Sequence, residues 1–301
     1  LEHDILGTRL SFDYESKDTK QKISLYVSLQ QIERASYYGG GGRVIREGDS
    51  ITSDDVLSIN AYGSSEDIST VSGIQYNYLI KPNLTITAGS EFIYNNVLDK
   101  MPGYSRVIDQ QINTWGTFAE LEIKPIEKLT FLIGGRFDQL NIVGKYDLEG
   151  ENFVNDKNFN VLVPSISAMY SVHENLKLRA SFAQGYRGPQ AFDEDLHIET
   201  VGGAARFIRL GSELEVERSN NVSFSLNFDK YIRKKQINFI VESFYTHLNN
   251  PFIYGNQEEL SNGVAVIAKR NGDGAKVFGI NIEANIAFGS SFILQSGATL
   301  Q

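Results

Sequence analysis

Hydrophobic and polar residues alternate with a period of two along most of the chain, and helical periodicity is nearly absent. In residues 84–94, Leu84 and Ile86 fall on one face of an extended segment, whereas Thr85 and Glu91 fall on the other. This pattern predicts amphipathic β-strands. We predict twelve of them, at residues 6–16, 21–33, 68–80, 84–95, 112–123, 129–141, 159–170, 176–186, 215–228, 236–247, 276–288 and 291–301.

The connections between these strands are alternately short and long. The short ones are residues 17–20, 81–83, 124–128, 171–175, 229–235 and 289–290, and the long ones are 34–67, 96–111, 142–158, 187–214 and 248–275. A tilted strand of about 9–11 residues crosses a membrane, and outer-membrane barrels join such strands by short periplasmic turns and long extracellular loops. The alternation therefore predicts an all-β fold, a transmembrane antiparallel up-and-down β-barrel. A soluble all-β sandwich remains an alternative, because it also alternates.

Aromatic residues near the predicted strand ends agree with the barrel. They share the apolar face, where interfacial girdles of a membrane barrel would lie: Tyr14, Tyr76, Tyr78, Tyr94, Trp115, Tyr170, Tyr245 and Phe288. Ordinary cross-strand packing is the alternative explanation.

Composition narrows the function classes further. The 301 residues carry a net charge of −9 and include no Cys, which excludes disulfides and thiolate chemistry. No apolar run reaches the roughly 18 residues of a spanning helix. An acidic chain without basic clusters repels phosphate backbones, so we expect no nucleic acid partner. The start of the chain lacks the charged and apolar regions of a signal peptide, so we expect that this was removed or that the chain begins internally.

Four segments resemble the barrel of TonB-dependent outer-membrane receptors. Residues 159–189 contain Pro164 and Tyr170, followed by a strand that ends in Gly185-Tyr186-Arg187-Gly188-Pro189. Residues 214–221 are similar to the family's "L-x-P-E-x-s-x-n" segment, with Val216 in place of the usual Pro. Residues 271–283 and 131–138 resemble "N-x-g-x-a-x-v-x-G-v-E-l-e" and "l-G-x-R-y-D".

This resemblance implies an active transporter that imports a scarce large nutrient, such as a ferric siderophore or cobalamin, and makes or breaks no bond. Its partners would be outer-membrane lipid, the ligand, and the TonB complex acting through an N-terminal plug domain. Since the chain opens on a strand, we expect residues 1–301 to be a partial barrel without the plug, from a barrel of about 22 strands. The alternatives are a passive porin, an enzyme barrel, or a soluble carbohydrate-binding or adhesin protein.

Ligand binding is expected on the long loops, because scaffolds carry function there. Aromatic and Arg side chains favour recognition, and the candidates are Tyr37, Tyr38, Arg43, Arg46, Tyr104, Arg106, Arg206 and Arg209. We expect no catalytic residue, no cofactor and no resident metal. An acidic run at residues 193–195 could hold Ca²⁺, but it lacks the spacing of a calcium loop and is more simply a solvated charge run. The four glycines at 39–42 are read as a flexible loop, since no Lys-Ser/Thr follows.

Overall fold

The computed structural model of the protein describes residues 2–37, 44–52, 55–56, 60, 62–148, 150–190, 206–233, 235–259, 265–289 and 291–301. Twelve antiparallel strands form one sheet, and they confirm the twelve predicted strands. They are β1 (Glu2–Glu15), β2 (Gln21–Tyr37), β3 (Tyr62–Lys81), β4 (Leu84–Met101), β5 (Arg106–Ile126), β6 (Leu129–Leu148), β7 (Glu151–His173), β8 (Leu176–Arg187), β10 (Glu217–Ile232), β11 (Lys235–Asn249), β14 (Ala275–Phe288) and β15 (Phe292–Leu300).

Each strand of this sheet pairs with the strands that precede and follow it, in the order β1-β2-β3-β4-β5-β6-β7-β8-β10-β11-β14-β15. The strands are joined at one end by tight turns, such as residues 82–83, 127–128 and 174–175. We call this the turn end, and the opposite end the loop end. Among the described residues, no helix is long and apolar enough to cross a membrane.

The strands in the middle of the sheet are much longer than predicted. β3 to β7 contain 18 to 23 residues each, whereas about 9–11 residues cross a membrane. The predicted long loops 96–111 and 142–158 were therefore wrong. Strand structure covers most of both; the single-turn 3-10 helix Pro102–Tyr104 lies between β4 and β5, and Gly150 lies in a turn just before β7.

The reason for this error is that the apolar residues change face along each long strand. We call the face that carries Ile86, Leu121 and Ile133 the outer face, and the opposite one the inner face. From the turn end to the loop end, the outer face of β6 changes from apolar to mainly polar, in the order Leu129, Phe131, Ile133, Gly135, Phe137, Gln139, Asn141, Val143 and Lys145. The inner face of β6 changes from mainly polar to apolar, in the order Thr130, Leu132, Gly134, Arg136, Asp138, Leu140, Ile142, Gly144, Tyr146 and Leu148.

The outer face at the turn end forms an apolar belt. The strand pairing places all eight aromatic residues of the predicted girdle, from Tyr14 to Phe288, on this outer face. On β6 the belt covers residues 129–137, which is close to the length of a membrane-crossing strand. Beyond the belt, the apolar side chains of the same strands lie mainly on the inner face, and the outer face is mainly polar.

The inner face at the loop end holds the main hydrophobic core. Its buried members come from β5, β6, β7 and residues 210–216, which precede β10. They are Ile108, Leu140, Ile142, Tyr146, Val161, Leu210, Leu214 and Val216. Part of this core is supplied by a second, three-stranded sheet of β9 (Arg206–Leu210), β12 (Phe252–Glu259) and β13 (Ala265–Asn271). The sequence predicted loops at 187–214 and 248–275, so these three strands correct that prediction.

Candidate functional site

A chain of hydrogen-bonded polar groups crosses the inner face at the level of the belt. The Tyr26 hydroxyl on β2 donates to Glu91 Oε2 on β4 at 2.6 Å. Glu91 Oε1 lies 3.1 Å from the Arg136 guanidinium on β6, and Arg136 Nε donates to Asp138 Oδ1 at 2.7 Å. We call these four residues the inner-wall network. It joins three strands that are not neighbours in the sheet.

Glycines on the intervening strands make these long contacts possible. Tyr26, Gly73, Glu91, Gly116 and Asp138 are successive partners in one register row from β2 to β6. A Cβ atom at Gly73 would collide with the Tyr26 ring, and one at Gly116 would collide with both Arg136 and Asp138. Polar side chains and glycines therefore alternate along the row. The polar side chains of alternate strands can meet because the glycine between them leaves the space free.

Gly279 on β14 is a second point of close approach within the sheet. A Cβ atom there would lie 2.5 Å from the Leu300 carbonyl oxygen on β15 and 2.7 Å from Phe244 Cζ on β11. The groups that approach Gly279 are therefore a backbone carbonyl and an aromatic ring of the two neighbouring strands.

A cavity of about 290 Å³ lies directly beyond the network, towards the loop end. The inner-face neighbours of the network residues form its wall, including Ile93, Thr114 and Leu140. Tyr186 and Pro189, where the chain leaves β8, line the other side. The cavity therefore combines apolar walls with a few polar groups, such as Asn95 and Thr114, which is the composition of a small-ligand pocket.

Three of the sequence signatures meet at the loop end, where the end of β8 and the start of β10 contact the second sheet. Arg187 Nε lies 3.3 Å from Glu217 Oε1, and Glu217 Oε2 accepts the backbone N–H of Phe252 at 3.1 Å. The Phe252 ring lies under two cations, with Arg187 Cζ at 4.9 Å and Lys269 Nζ at 5.2 Å from its centre. These contacts fix β12 and β13 against the large sheet.

Asn271 completes this junction through its side-chain amide. Its Oδ1 accepts the backbone N–H of Glu215 at 2.8 Å, and its Nδ2 donates to the carbonyls of Glu215 at 3.1 Å and Asn250 at 2.8 Å. We call Arg187, Glu215, Glu217, Phe252 and Asn271 the rim clamp. Four of its members come from the "YRGP", "LEVE" and "NGDG" segments, and Phe252 begins β12, so these signatures meet in one junction.

We predict that Asn271→Ala will loosen the second sheet. Each lost hydrogen bond contributes about 0.5–1.5 kcal/mol, and the amide makes three. The expected result is faster proteolytic cleavage within residues 250–274. Asn256→Ala is the control, because Asn256 is an exposed amide on the same sheet. Equal cleavage rates in the two variants would contradict this role.

The structure places some of the predicted ligand-binding residues at the loop end. Tyr37 ends β2 with its ring 4.7 Å from that of Tyr62, and both rings are exposed. Arg46 lies in the connection from β2 to β3, where its backbone N–H donates to Asp49 at 2.8 Å. Tyr38 and Arg43 lie outside the described residues, as do the acidic run 193–195 and the glycines 39–42. Ligand binding by these residues stays a prediction.

Tyr104, Arg206 and Arg209 are described only by their backbone. Tyr104 ends the short helix between β4 and β5, and both arginines lie on β9. Because β9 also supplies Leu210 to the core, the two arginines belong to a folded sheet and not to an irregular loop.

Arg106 has a different environment from the one that the loop prediction suggested. It is buried with Asp99, and its guanidinium lies 2.6 Å from the Asp99 carboxylate. Burial raises the pKa of Asp99, and the nearby Arg106 opposes that rise. The guanidinium therefore stabilises the loop end of the β4–β5 hairpin, and a ligand contact by Arg106 remains a prediction.

The inner-wall network was missed as a site by sequence reasoning. One signal was present, because Arg136 and Asp138 belong to the "GGRFD" segment and share a face at a spacing of two. The partnership with Tyr26 and Glu91 depends on the register of five strands, which the sequence does not show. The described residues contain no cluster of three or more acidic or His side chains suited to a metal ion.

The comparisons with known proteins agree with this architecture. The family described as TonB dependent receptor-like, beta-barrel, matches residues 2–300, so the chain belongs to this family. No curated protein matches the chain significantly.

Several solved structures share the fold. The iron transporter FrpB from Neisseria meningitidis is 13% identical, with a TM-score of 0.65, over 97% of this chain and 42% of its own. A double mutant of the Serratia marcescens hemophore receptor HasR, solved with its hemophore HasA and heme, is 14% identical, with a TM-score of 0.63, over 99% and 49%. A mutant of the ferric enterobactin receptor PfeA from Pseudomonas aeruginosa is 12% identical, with a TM-score of 0.68, over 99% and 43%. The chain thus spans less than half of each of these structures.

Proposed function

We propose that the chain is the barrel portion of an outer-membrane receptor that actively imports a scarce large nutrient, with energy supplied by TonB through a plug domain. The observation that carries this proposal is the sidedness of the belt. At one level of the sheet the outer face is apolar, whereas the inner face carries the inner-wall network. This arrangement suits a polar conduit through a lipid bilayer.

The length shared with the solved structures supports a partial barrel. The hemophore receptor HasR and the ferric enterobactin receptor PfeA each extend well beyond the segment that matches this chain. We infer that residues 1–301 supply about half of a barrel of roughly 22 strands, with the turn end in the periplasm.

The ligand class that best suits the site is a ferric siderophore or another chelate of similar size. FrpB is an iron transporter, HasR was solved with heme, and PfeA is a ferric enterobactin receptor. Arginine favours anionic chelates, because its fork of donors matches carboxylate and similar oxygens. Cobalamin remains a member of the nutrient class that the family resemblance implies.

Energy-dependent uptake is the direct test of this function. Cells that carry the complete protein should accumulate iron-55 supplied as ferric siderophores, and accumulation should stop when the gene is deleted or when TonB is absent. A panel of chemically distinct siderophores, heme and cobalamin would identify the ligand. Uptake that continues at the same rate without TonB would favour a passive porin and overturn the proposal.

The belt predicts where an added charge will be costly. Ile133→Arg places a charge on the outer face in the middle of the belt, and we expect it to destabilise the folded barrel by about 2–4 kcal/mol. Val143→Arg is the control, because Val143 lies on the same face of β6 beyond the belt. Urea unfolding of the complete protein in phospholipid vesicles measures both. Equal destabilisation by the two variants would contradict the membrane placement.

A further inference from the structure

An open groove of about 530 Å³ interrupts the belt on the outer faces of β1 to β5. Ser72 and Ser90 form its floor, and the larger side chains of Leu10, Phe12, Phe92 and Trp115 form its sides. The Phe92 and Trp115 rings are 6.1 Å apart, and Trp115 is 56% exposed. We call this depression the acyl groove.

The floor of the acyl groove is less polar than its residue types suggest. The Ser90 hydroxyl donates to the Gly116 carbonyl at 3.1 Å, so its hydrogen is turned into the sheet. A depression with an apolar lining, in a belt that faces lipid, gives a hydrocarbon chain more contacts than the flat belt around it.

A patch of amide side chains begins at the register row of Trp115 and extends from there towards the loop end. Trp115 pairs with Gln139, and the next outer-face row contains Asn113, Asn141 and Asn158. Asn141 Nδ2 donates to Asn158 Oδ1 at 3.0 Å and to Asp156 Oδ1 at 3.2 Å. We define the amide patch as Asn113, Gln139, Asn141, Asp156, Asn158 and Asn160.

The chemistry of the amide patch favours sugar over phosphate. Each amide has two donors and an acceptor oxygen, which match the hydroxyl groups of a sugar, and the exposed Trp115 indole offers a flat apolar surface beside them. Phosphate recognition relies on Arg or Lys, but the only charged member of the amide patch is the carboxylate of Asp156. The groove and the amide patch are therefore suited to the two ends of one glycolipid.

We propose that the outer face of β1 to β7 binds one glycolipid of the outer leaflet, with an acyl chain in the acyl groove and the sugar headgroup on the amide patch. This inference rests on the membrane placement in the proposed function. The belt ends where the amide patch begins, so the amides lie at the depth of the headgroups.

Native mass spectrometry of the complete protein tests this inference. The protein would be reconstituted into nanodiscs of phosphatidylethanolamine with purified, dephosphorylated lipooligosaccharide as the probe, then released and weighed. We expect one lipooligosaccharide per protein. Ser72→Leu fills the groove, and the double variant Asn141→Ala/Asn158→Ala removes headgroup contacts, so each should lower this bound fraction about tenfold.

Two matched controls keep the glycolipid. Ala168→Leu enlarges a small outer-face residue of β7 away from the groove, and Asn152→Ala removes an exposed amide nearer the loop end of β7. Equal retention by all variants, or binding of phosphatidylethanolamine as tightly as the glycolipid, would overturn the inference. Failure of the wild-type protein to enter the nanodisc would instead contradict the proposed function, because insertion needs the belt but not this lipid.

Discussion

Replacing Arg106 with Met is expected to destabilise the loop end of the β4–β5 hairpin by about 3–5 kcal/mol, the cost of leaving one partner of a buried ion pair unpaired. Only 5% of the Arg106 side chain and 6% of that of Asp99 are exposed, and the two charged groups are 2.6 Å apart. Without the guanidinium, the buried Asp99 carboxylate keeps only the weaker influence of Arg34 to oppose the rise in its pKa. Hydrogen exchange measures the effect, as faster exchange of the amides in residues 96–111.

Two further variants separate the ion pair from a general effect of removing a charge. Lys145→Met breaks an ion pair between Lys145 and Asp109, which are 3.6 Å apart and 64% and 37% exposed. Such exposed pairs contribute at most about 1 kcal/mol, so exchange should hardly change. Adding Asp99→Asn to Arg106→Met removes the unpaired charge and should restore part of the protection. A double variant no more protected than Arg106→Met would show that packing, and not charge, causes the loss.

The strands could be predicted because alternation is a local property. All twelve were found from the period of two, yet β3 to β7 were each cut short by several residues. The alternation continues through Val97, Ile108 and Ile142, but there the apolar residues lie on the inner face. A prediction that follows one apolar face therefore ends the strand where the apolar residues change from the outer to the inner face.

The second sheet could not be predicted, because it is held together by contacts between distant segments. β9 pairs in parallel with β13, more than fifty residues later in the sequence, and neither strand is long enough to give a clear alternation. The rim clamp shows the same limitation. Glu215 and Asn271 each belong to a recognised signature, but the contact between them follows only from the fold.

Arg136 is the central residue of the inner-wall network, and its replacement is expected to impair transport more than stability. The guanidinium contacts Glu91 and Asp138 together, and hydrogen bonds to charged groups contribute about 1.5–3 kcal/mol each. Arg136→Met leaves two carboxylates on the inner wall without their shared counter-charge. We predict a fall in the rate of energy-dependent uptake of about tenfold or more, the change that 1.4 kcal/mol would produce.

The chemistry of this residue can be resolved by comparing three variants at equal levels in the outer membrane. Arg136→Lys keeps the positive charge but loses the planar fork that binds two carboxylates at once, so its uptake rate should lie between those of wild type and Arg136→Met. Gly116→Ala keeps every charged group but places a methyl group against Arg136 and Asp138, so it should reduce uptake by displacing them. Gly135→Ala is the control, because a Cβ atom there would meet only ordinary contacts, at 3.6 Å or more. If uptake is normal in Arg136→Met and Gly116→Ala, the inner-wall network has no part in transport and serves only to brace the sheet.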